Sequence, residues 1–267
     1  MARPFHKMHG LGNDFVIFDG REQPLAMTEP LARAVADRRT GVGCDQLIVL
    51  EPSEAADVRM RIYNGDGGEV ESCGNASRCV VALTGARTIE TGGGVIGGST
   101  DGDRIEVGLA QPRFDWDQVP IAFPVNTDAV PMGWGPLEQP LAVNVGNPHL
   151  VFFVADLDAI DLARLGPEIE HDPAFPERIN VNVAQVTDGA IRLRTWERGA
   201  GLTLACGTGA CATAVAAIRS RRVRSPVEVT MPGGSLEIAW APGEPVRMIG
   251  AATYVYRGEI ELEGLAG

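Results

Sequence analysis

The sequence predicts an α+β fold of two related, strand-rich halves, each built on one buried helix. Short apolar and β-branched runs are frequent and are punctuated by Gly, Pro and Asp clusters. Helical patterns are few, and two of them are small and apolar on nearly every side, as in a helix that protein surrounds. Polar residues also recur at an offset of about half the chain. The 33 glycines among 267 residues suit a chain with many tight turns and close backbone approaches.

Strands are expected at residues 15–18, 47–50, 59–63, 104–109, 150–154, 191–196, 227–231, 236–240 and 253–256, where apolar or alternating runs stand between turn residues. The glycines at 92–94 read as a turn, since no GKS or GKT follows to make a phosphate loop. Amphipathic helices are expected at residues 30–38 and 158–165. The two buried helices are residues 76–83, ASRCVVAL, and 210–218, ACATAVAAI, and each follows a Cys-Gly step.

The repeat fixes how these pieces are arranged. GNDF at 12–15 recurs as GNPH at 146–149, and Cys73-Gly74 recurs as Cys206-Gly207, 133 residues later. Asn64 and Glu197 each lie nine residues before their cysteine, and Gln46 corresponds to Asn180. The turn at Asp101-Gly102 is matched with Gly233-Gly234. Two homologous halves facing each other are expected, residues 1–117 carrying Cys73 and residues 118–267 carrying Cys206, with a final strand that can return to the first half. The Pro-rich stretch 111–141 reads as their connection.

Composition removes several classes of function. A net charge of -12 and a pI near 4.8 leave no basic surface for nucleic acid. No 18-residue apolar run or signal-type segment is present, so no membrane partner and a cytoplasmic location are expected. Five cysteines at irregular spacing do not read as a disulfide framework.

The chemistry lies in Cys73 and Cys206. A sulfur at a helix start sits beside unpaired backbone N–H groups and the positive end of the helix dipole, which is expected to lower its pKa. Two such sulfurs on opposite faces of a substrate suit stereoinversion: one thiolate takes an α-proton and the other thiol returns one. Backbone donors at Gly74, Asn75, Gly207 and Thr208 would receive the charge that develops on the carboxylate. His149 follows Asn147 in the repeat and is expected at the cleft, holding a proton in order. His6, His9 and His171 are given no role, and Cys44, Cys79 and Cys211 read as packing residues.

Other readings stand beside this one. Four cysteines suggest zinc, but neither Cys73 with Cys79 nor Cys206 with Cys211 shares a helix face, and the spacing is not CxxC; no metal is expected. A Cys73–Cys206 disulfide and a non-catalytic binding protein are further alternatives, and Glu197-Arg198 is ordinarily a solvated pair.

KMHGLGNDF, TGVGCDQL, RIYNGDGGEVESCGN, NVGNPH, FPERIN and WERGAGLTLACGTGACA occur in this order along the chain. Together they resemble the motifs of the diaminopimelate epimerase family over essentially its whole length. The resemblance implies a fold in which each half wraps a barrel-like sheet around a central helix. It also implies a cofactor-independent epimerase that converts LL-2,6-diaminopimelate to the meso form, for lysine and peptidoglycan synthesis, acting as a homodimer. Carried over by motif, Cys73 and Cys206 are the acid/base pair. Gly74, Asn75, Gly207 and Thr208 hold the reacting carboxylate, and Asn13, Gln46, Asn64, Asn147, Asn180, Glu197 and Arg198 line the rest of the site. CGNASRC stands where the family usually has CGNGARC, so Ala76 and Ser77 add bulk near the first helix start. A proline or histidine racemase on the same scaffold is the nearest rival, and a phenazine-type isomerase would lack Cys73.

Overall fold

A computed structural model of the chain describes residues 2–265. It divides into two compact units, one comprising Met1–Val107 with Gly250–Gly267, the other Gly108–Ile249.

In the first unit β1 (Ala2–Gly10) pairs antiparallel with β2 (Asn13–Asp19), and α1 (Glu29–Ala36) crosses over to β3 (Gln46–Glu51), parallel to β2. β4 (Val58–Asn64) lies antiparallel to β3 and carries the short β5 (Glu69–Val70). α2 (Gly74–Thr84) then crosses to β6 (Thr88–Thr91), parallel to β4, followed by antiparallel β7 (Gly94–Asp101) and β8 (Arg104–Gly108).

The second unit repeats this order after a short hairpin, β9 (Gly133–Trp134) with β10 (Leu137–Glu138). β11 (Leu141–Asn144) and β12 (Pro148–Phe153) pair antiparallel, and α3 (Leu162–Glu170) crosses to β13 (Asn180–Thr187), parallel to β12. β14 (Ala190–Glu197) is antiparallel to β13 and to β15 (Gly201–Thr203). α4 (Gly207–Arg219) crosses to β16 (Val227–Met231), parallel to β14, followed by antiparallel β17 (Gly234–Ala239) and β18 (Arg247–Gly250). A last strand, β19 (Thr253–Glu261), returns to the first unit and pairs antiparallel with β1 from Ala2↔Glu261 to His9↔Thr253.

The parallel pairs explain the continuous apolar runs. Residues 15–18 of β2 and 47–50 of β3 are all buried, because such strands are covered on both faces. Val16, Phe18, Leu47 and Val49 pack with Ala32, Val35 and Ala36 of α1. In the second unit α4 packs against β11, β12, β13, β14, β16 and β17. Its residues Gly209 to Ala217 are buried without interruption, and α2 is buried from Gly74 to Val81. Helix α4 has no polar face because strands surround it, whereas α2 buries the polar Asn75, Ser77 and Arg78 with its apolar residues.

Several expectations shift. The domain boundary lies at 107/108 rather than 117/118, because Leu109 N donates to Val246 O at 2.8 Å and Arg113 pairs with Asn144, all inside the second unit. The stretch read as a connection is part of that unit's core: Val119, Ile121, Val130, Trp134 and Leu137 pack with Phe152, Leu165 and Phe175. The third helix runs from Leu162 to Glu170, capped by Asp161, whose side chain accepts from Arg164 N. It passes through Pro167 because the buried stripe Leu162, Leu165 and Ile169 continues beyond it.

The pairing of turns at 101–102 and 233–234 is also corrected. Val58↔Ile89 in β4–β6 corresponds to Ile191↔Val229 in β14–β16, so the turn at 232–233 is the partner of 92–93. Matching bonds hold the two turns, Gly93 N to Glu71 O at 3.2 Å and Gly233 N to Leu204 O at 2.7 Å. The register slides because α4 is longer than α2 and the link after it spans residues 220–226, against 85–87 in the first unit.

Candidate active site

In the first unit Cys73 is the N-cap of α2, in extended conformation at φ -149° and ψ 113°. Its Sγ lies 3.9 Å from Asn13 Oδ1, which also accepts from Asn75 Nδ2 at 3.3 Å. Charged groups orient both amides. Asp45 Oδ2 accepts from Asn13 Nδ2 at 3.1 Å, and the fully buried Arg78 donates to Asn75 Oδ1 at 2.8 Å. Each amide can then turn only one way, which leaves Asn13 Oδ1 facing the sulfur.

Asp45 is itself held in a network. Arg38 bridges Asp45 and Asp14, at 2.8 and 2.6 Å, and Lys7 lies 2.5 Å from Asp14. Burial alone would raise the Asp14 pKa, but Arg38 and Lys7 outweigh it and hold the carboxyl well below the usual range. Gln46 and Asn64, paired across β3 and β4, share a bond from Gln46 Nε2 to Asn64 Oδ1 at 2.9 Å, while the buried Gln46 Oε1 has no hydrogen-bond partner. The Ser77 hydroxyl turns back to donate to Cys73 O at 2.9 Å, so its added bulk is spent within the helix.

In the second unit Cys206 is the N-cap of α4, and its sulfur accepts from Gly209 N at 3.3 Å. Sγ donates to Glu197 Oε2 at 3.0 Å, and Thr208 Oγ1 lies 3.6 Å away. The lowering expected from the helix start is reversed here: burial and the charge of Glu197 push the thiol well above its ordinary pKa, against smaller opposing effects of Thr208 and Gly209. Cys206 is therefore a thiol at neutral pH. Asn64 occupies the position of Glu197 in the first unit's repeat, so the two cysteines have unlike neighbours.

Asn147 Nδ2 donates to Thr208 Oγ1 at 3.4 Å, and its Oδ1 lies 2.8 Å from His149 Nε2. Burial pushes the His149 pKa down to about 3, with Arg198 contributing. Asn180 links two segments, donating to Pro148 O at 2.8 Å and accepting from Arg198 N at 3.0 Å. The Arg198 guanidinium donates to Glu177 O at 2.9 Å.

Asn13, Gly74 and Asn75 thus lie with Cys73, while Gln46 and Asn64 form a separate bonded pair; Asn147, Asn180, Glu197, Arg198, Gly207 and Thr208 are linked with Cys206 and His149. Behind them stand groups that no motif singled out. Glu170, 2% exposed, accepts from Trp196 Nε1 at 2.7 Å and Gly199 N at 2.9 Å, bracketing the Glu197-Arg198 pair. Asp45, Arg78, Asn182 and Thr195 have similar supporting places. Alternate Asn residues on one buried strand, as in NVNV at 180–183, were the available signal for Asn182.

None of the five cysteines is in a disulfide, and burial raises Cys44 to about 11 and Cys79 to about 12. His6 bonds Tyr254 Oη at 3.2 Å, His9 accepts from Gly12 N at 3.4 Å, and His171 is the C-cap of α3. Among the described residues no group of three or more His, Cys, Asp and Glu side chains is placed to hold a metal, and no helix is long and apolar enough to cross a membrane.

The family model described as diaminopimelate epimerase matches residues 5–107 and 141–255. A diaminopimelate epimerase from Rhizorhabdus wittichii is 62% identical over 261 residues, covering 97% of this chain and 95% of its own. One from Sphingopyxis alaskensis is 60% identical over 263 residues, covering 98% of each. Among solved structures, a phenazine biosynthesis PhzF-family protein of Bacillus anthracis superposes with a TM-score of 0.67 at 16% identity, over 98% of this chain and 99% of that one. A probable proline racemase from Agrobacterium radiobacter gives 0.67 at 16% identity, over 99% and 95%. At such identities these two likenesses concern the fold.

Proposed function

The chain belongs to the diaminopimelate epimerase family, and on that premise we propose that Cys73 and Cys206 are the thiolate and thiol that invert one α-carbon of the substrate. The activity is isomerisation of LL-2,6-diaminopimelate to the meso form, a step of lysine biosynthesis.

The observation that carries the mechanism is the pair of repeat-related buried helices, each with a cysteine as its N-cap. First-turn N–H groups have no intrahelical acceptor and attract the carboxylate charge that grows as the α-proton leaves. Gly74 and Asn75 in one unit, and Gly207 and Thr208 in the other, would supply them. Cys73 then removes a proton and becomes a thiol, while Cys206 delivers its own to the opposite face and becomes a thiolate, Glu197 accepting the S–H hydrogen bond until delivery. Reversal exchanges the two roles. Asn13, Gln46, Asn64, Asn147 and Asn180 would bind the amino-acid ends, with Gln46 Oε1 as an acceptor for ammonium, and Arg198 suits the distal carboxylate. No group in this scheme requires a cofactor.

A homodimer is part of the same reading. Tyr254, Val255 and Tyr256 on β19 are 47%, 51% and 44% exposed, a run of large apolar side chains of the sort interfaces cover.

Proton NMR of LL-diaminopimelate in deuterated water tests the chemistry. Reduced enzyme should remove one α-proton signal and yield the meso isomer, and Cys73→Ser or Cys206→Ser should each lower turnover by at least about a hundredfold. Full activity in either variant would remove that cysteine from the mechanism.

A further inference from the structure

We propose that Asn182 is a positioning residue for the reaction, setting the direction of a buried hydrogen-bond chain that runs through His149, Asn147 and Thr208 to the sulfur of Cys206. The inference rests on the reading of Cys206 as an acid/base group.

The direction is dictated by one backbone carbonyl. Leu150 O can only accept, and Asn182 Nδ2 donates to it at 2.9 Å. Thr195 Oγ1 donates to the other end of the same amide, Asn182 Oδ1, at 3.0 Å. The orientation of Asn182 is therefore fixed by Leu150 O, and Thr195 satisfies the amide oxygen. Its nitrogen also lies 3.1 Å from His149 Nδ1, so that ring nitrogen must be the acceptor and the ring proton sits on Nε2. Nε2 donates to Asn147 Oδ1 at 2.8 Å, which turns Asn147 Nδ2 towards Thr208 Oγ1 at 3.4 Å. Having accepted there, Thr208 has its hydroxyl proton for Cys206 Sγ, 3.6 Å away.

The sulfur thus meets two donors, the Thr208 hydroxyl and Gly209 N at 3.3 Å, and one acceptor, Glu197 Oε2 at 3.0 Å. When the thiol gives up its proton, both donors are already aimed at the charge, with no reorientation needed. Asn182, His149 and Thr195 are 0%, 0% and 3% exposed, so water does not compete for the chain. Helix α4 is seated directly on its far end: a Cβ at Gly209 would stand 2.6 Å from Asn182 Oδ1 and 3.0 Å from Thr195 Oγ1. With its pKa pushed down to about 3 by burial, His149 stays neutral and serves as a fixed donor, in keeping with the expectation that it holds a proton in order.

Nitrogen-15 NMR of imidazole-labelled enzyme reads the tautomer directly. The wild type should show the Nε2–H form. Asn182→Asp offers His149 Nδ1 an acceptor in place of a donor, so the ring should change to Nδ1–H, and kcat should fall roughly tenfold or more with KM changed far less. Thr208→Val should lower kcat similarly while leaving the tautomer at Nε2–H. A wild-type Nδ1–H tautomer, or Asn182→Asp retaining Nε2–H and normal kcat, overturns the proposal. Should Asn182→Asp not fold, the wild-type tautomer and the Thr208→Val kinetics still decide. Absence of α-proton exchange in the wild type would instead defeat the acid/base reading, whatever the tautomer.

Discussion

His149 joins chemistry to stability. Its ordinary pKa is 6.5 and burial lowers it to about 3, so between these values the unfolded chain binds a proton that the folded protein refuses. This contribution is fully present above pH 6.5 and declines as pH falls towards 3, at up to about 1.4 kcal/mol per pH unit. Urea unfolding should show stability already falling between about pH 6.5 and 5, and His149→Gln should flatten the slope in that window. A wild-type curve flat over that range would show that the imidazole protonates without unfolding. Asp14 adds a lower window: its depressed pKa makes its contribution present above the ordinary carboxylate range and lost as pH drops below it. Cys73 and Cys206 are legible in the sequence because a Cys-Gly step that opens a small apolar run places a sulfur at the start of a buried helix. Glu170, Asp45 and Asn182 are not, since their importance lies in which neighbour each one orients, and that depends on strands distant in sequence.

At the scale of elements, the two buried helices are held by different ends. α2 stops at Gly85, whose φ of 69° lies in the left-handed region and whose N–H bonds Val81 O at 2.9 Å. A Cβ there meets nothing within 4 Å, so Gly85→Ala costs only backbone strain. We expect about 1 kcal/mol, read as a lower denaturant midpoint; no change would show that the helix end relaxes without cost. All nine strands expected from apolar runs are present, often longer than the runs themselves. Those the sequence conceals include β1, with Pro4, His6, Lys7 and His9, and β13, whose Asn180 and Asn182 interrupt the apolar face. In both, partners met only in the folded chain satisfy the polar groups. The helix at 162–170 reads short in the sequence because a proline is ordinarily a stop, and here burial of Leu165 and Ile169 outweighs it.

For the whole molecule, duplication is the most informative feature and also the source of one error. Corresponding residues keep a constant offset up to the cysteine helices, then lose it where the second unit lengthens its link, so a constant offset matches the wrong pair of turns. The exposed apolar run on β19 carries a prediction at this scale. In the proposed homodimer, Val255→Asp should shift the protein from dimer to monomer in sedimentation velocity, because burying an unpaired carboxylate at an interface is strongly unfavourable. An unchanged dimer would place the interface elsewhere.

The return of β19 to β1 also imposes a schedule on biosynthesis. As a nascent chain leaves the ribosome, the segment that emerges first cannot be finished first, because its closing strand is translated only after residues 108–249 have been made. The second unit, contiguous in the chain, has all its parts while β1 still awaits a neighbour, reversing the usual order in which N-terminal domains mature earliest. During that interval the open margin of β1 is exposed to other chains in the polysome, and attachment of β19 ends the exposure.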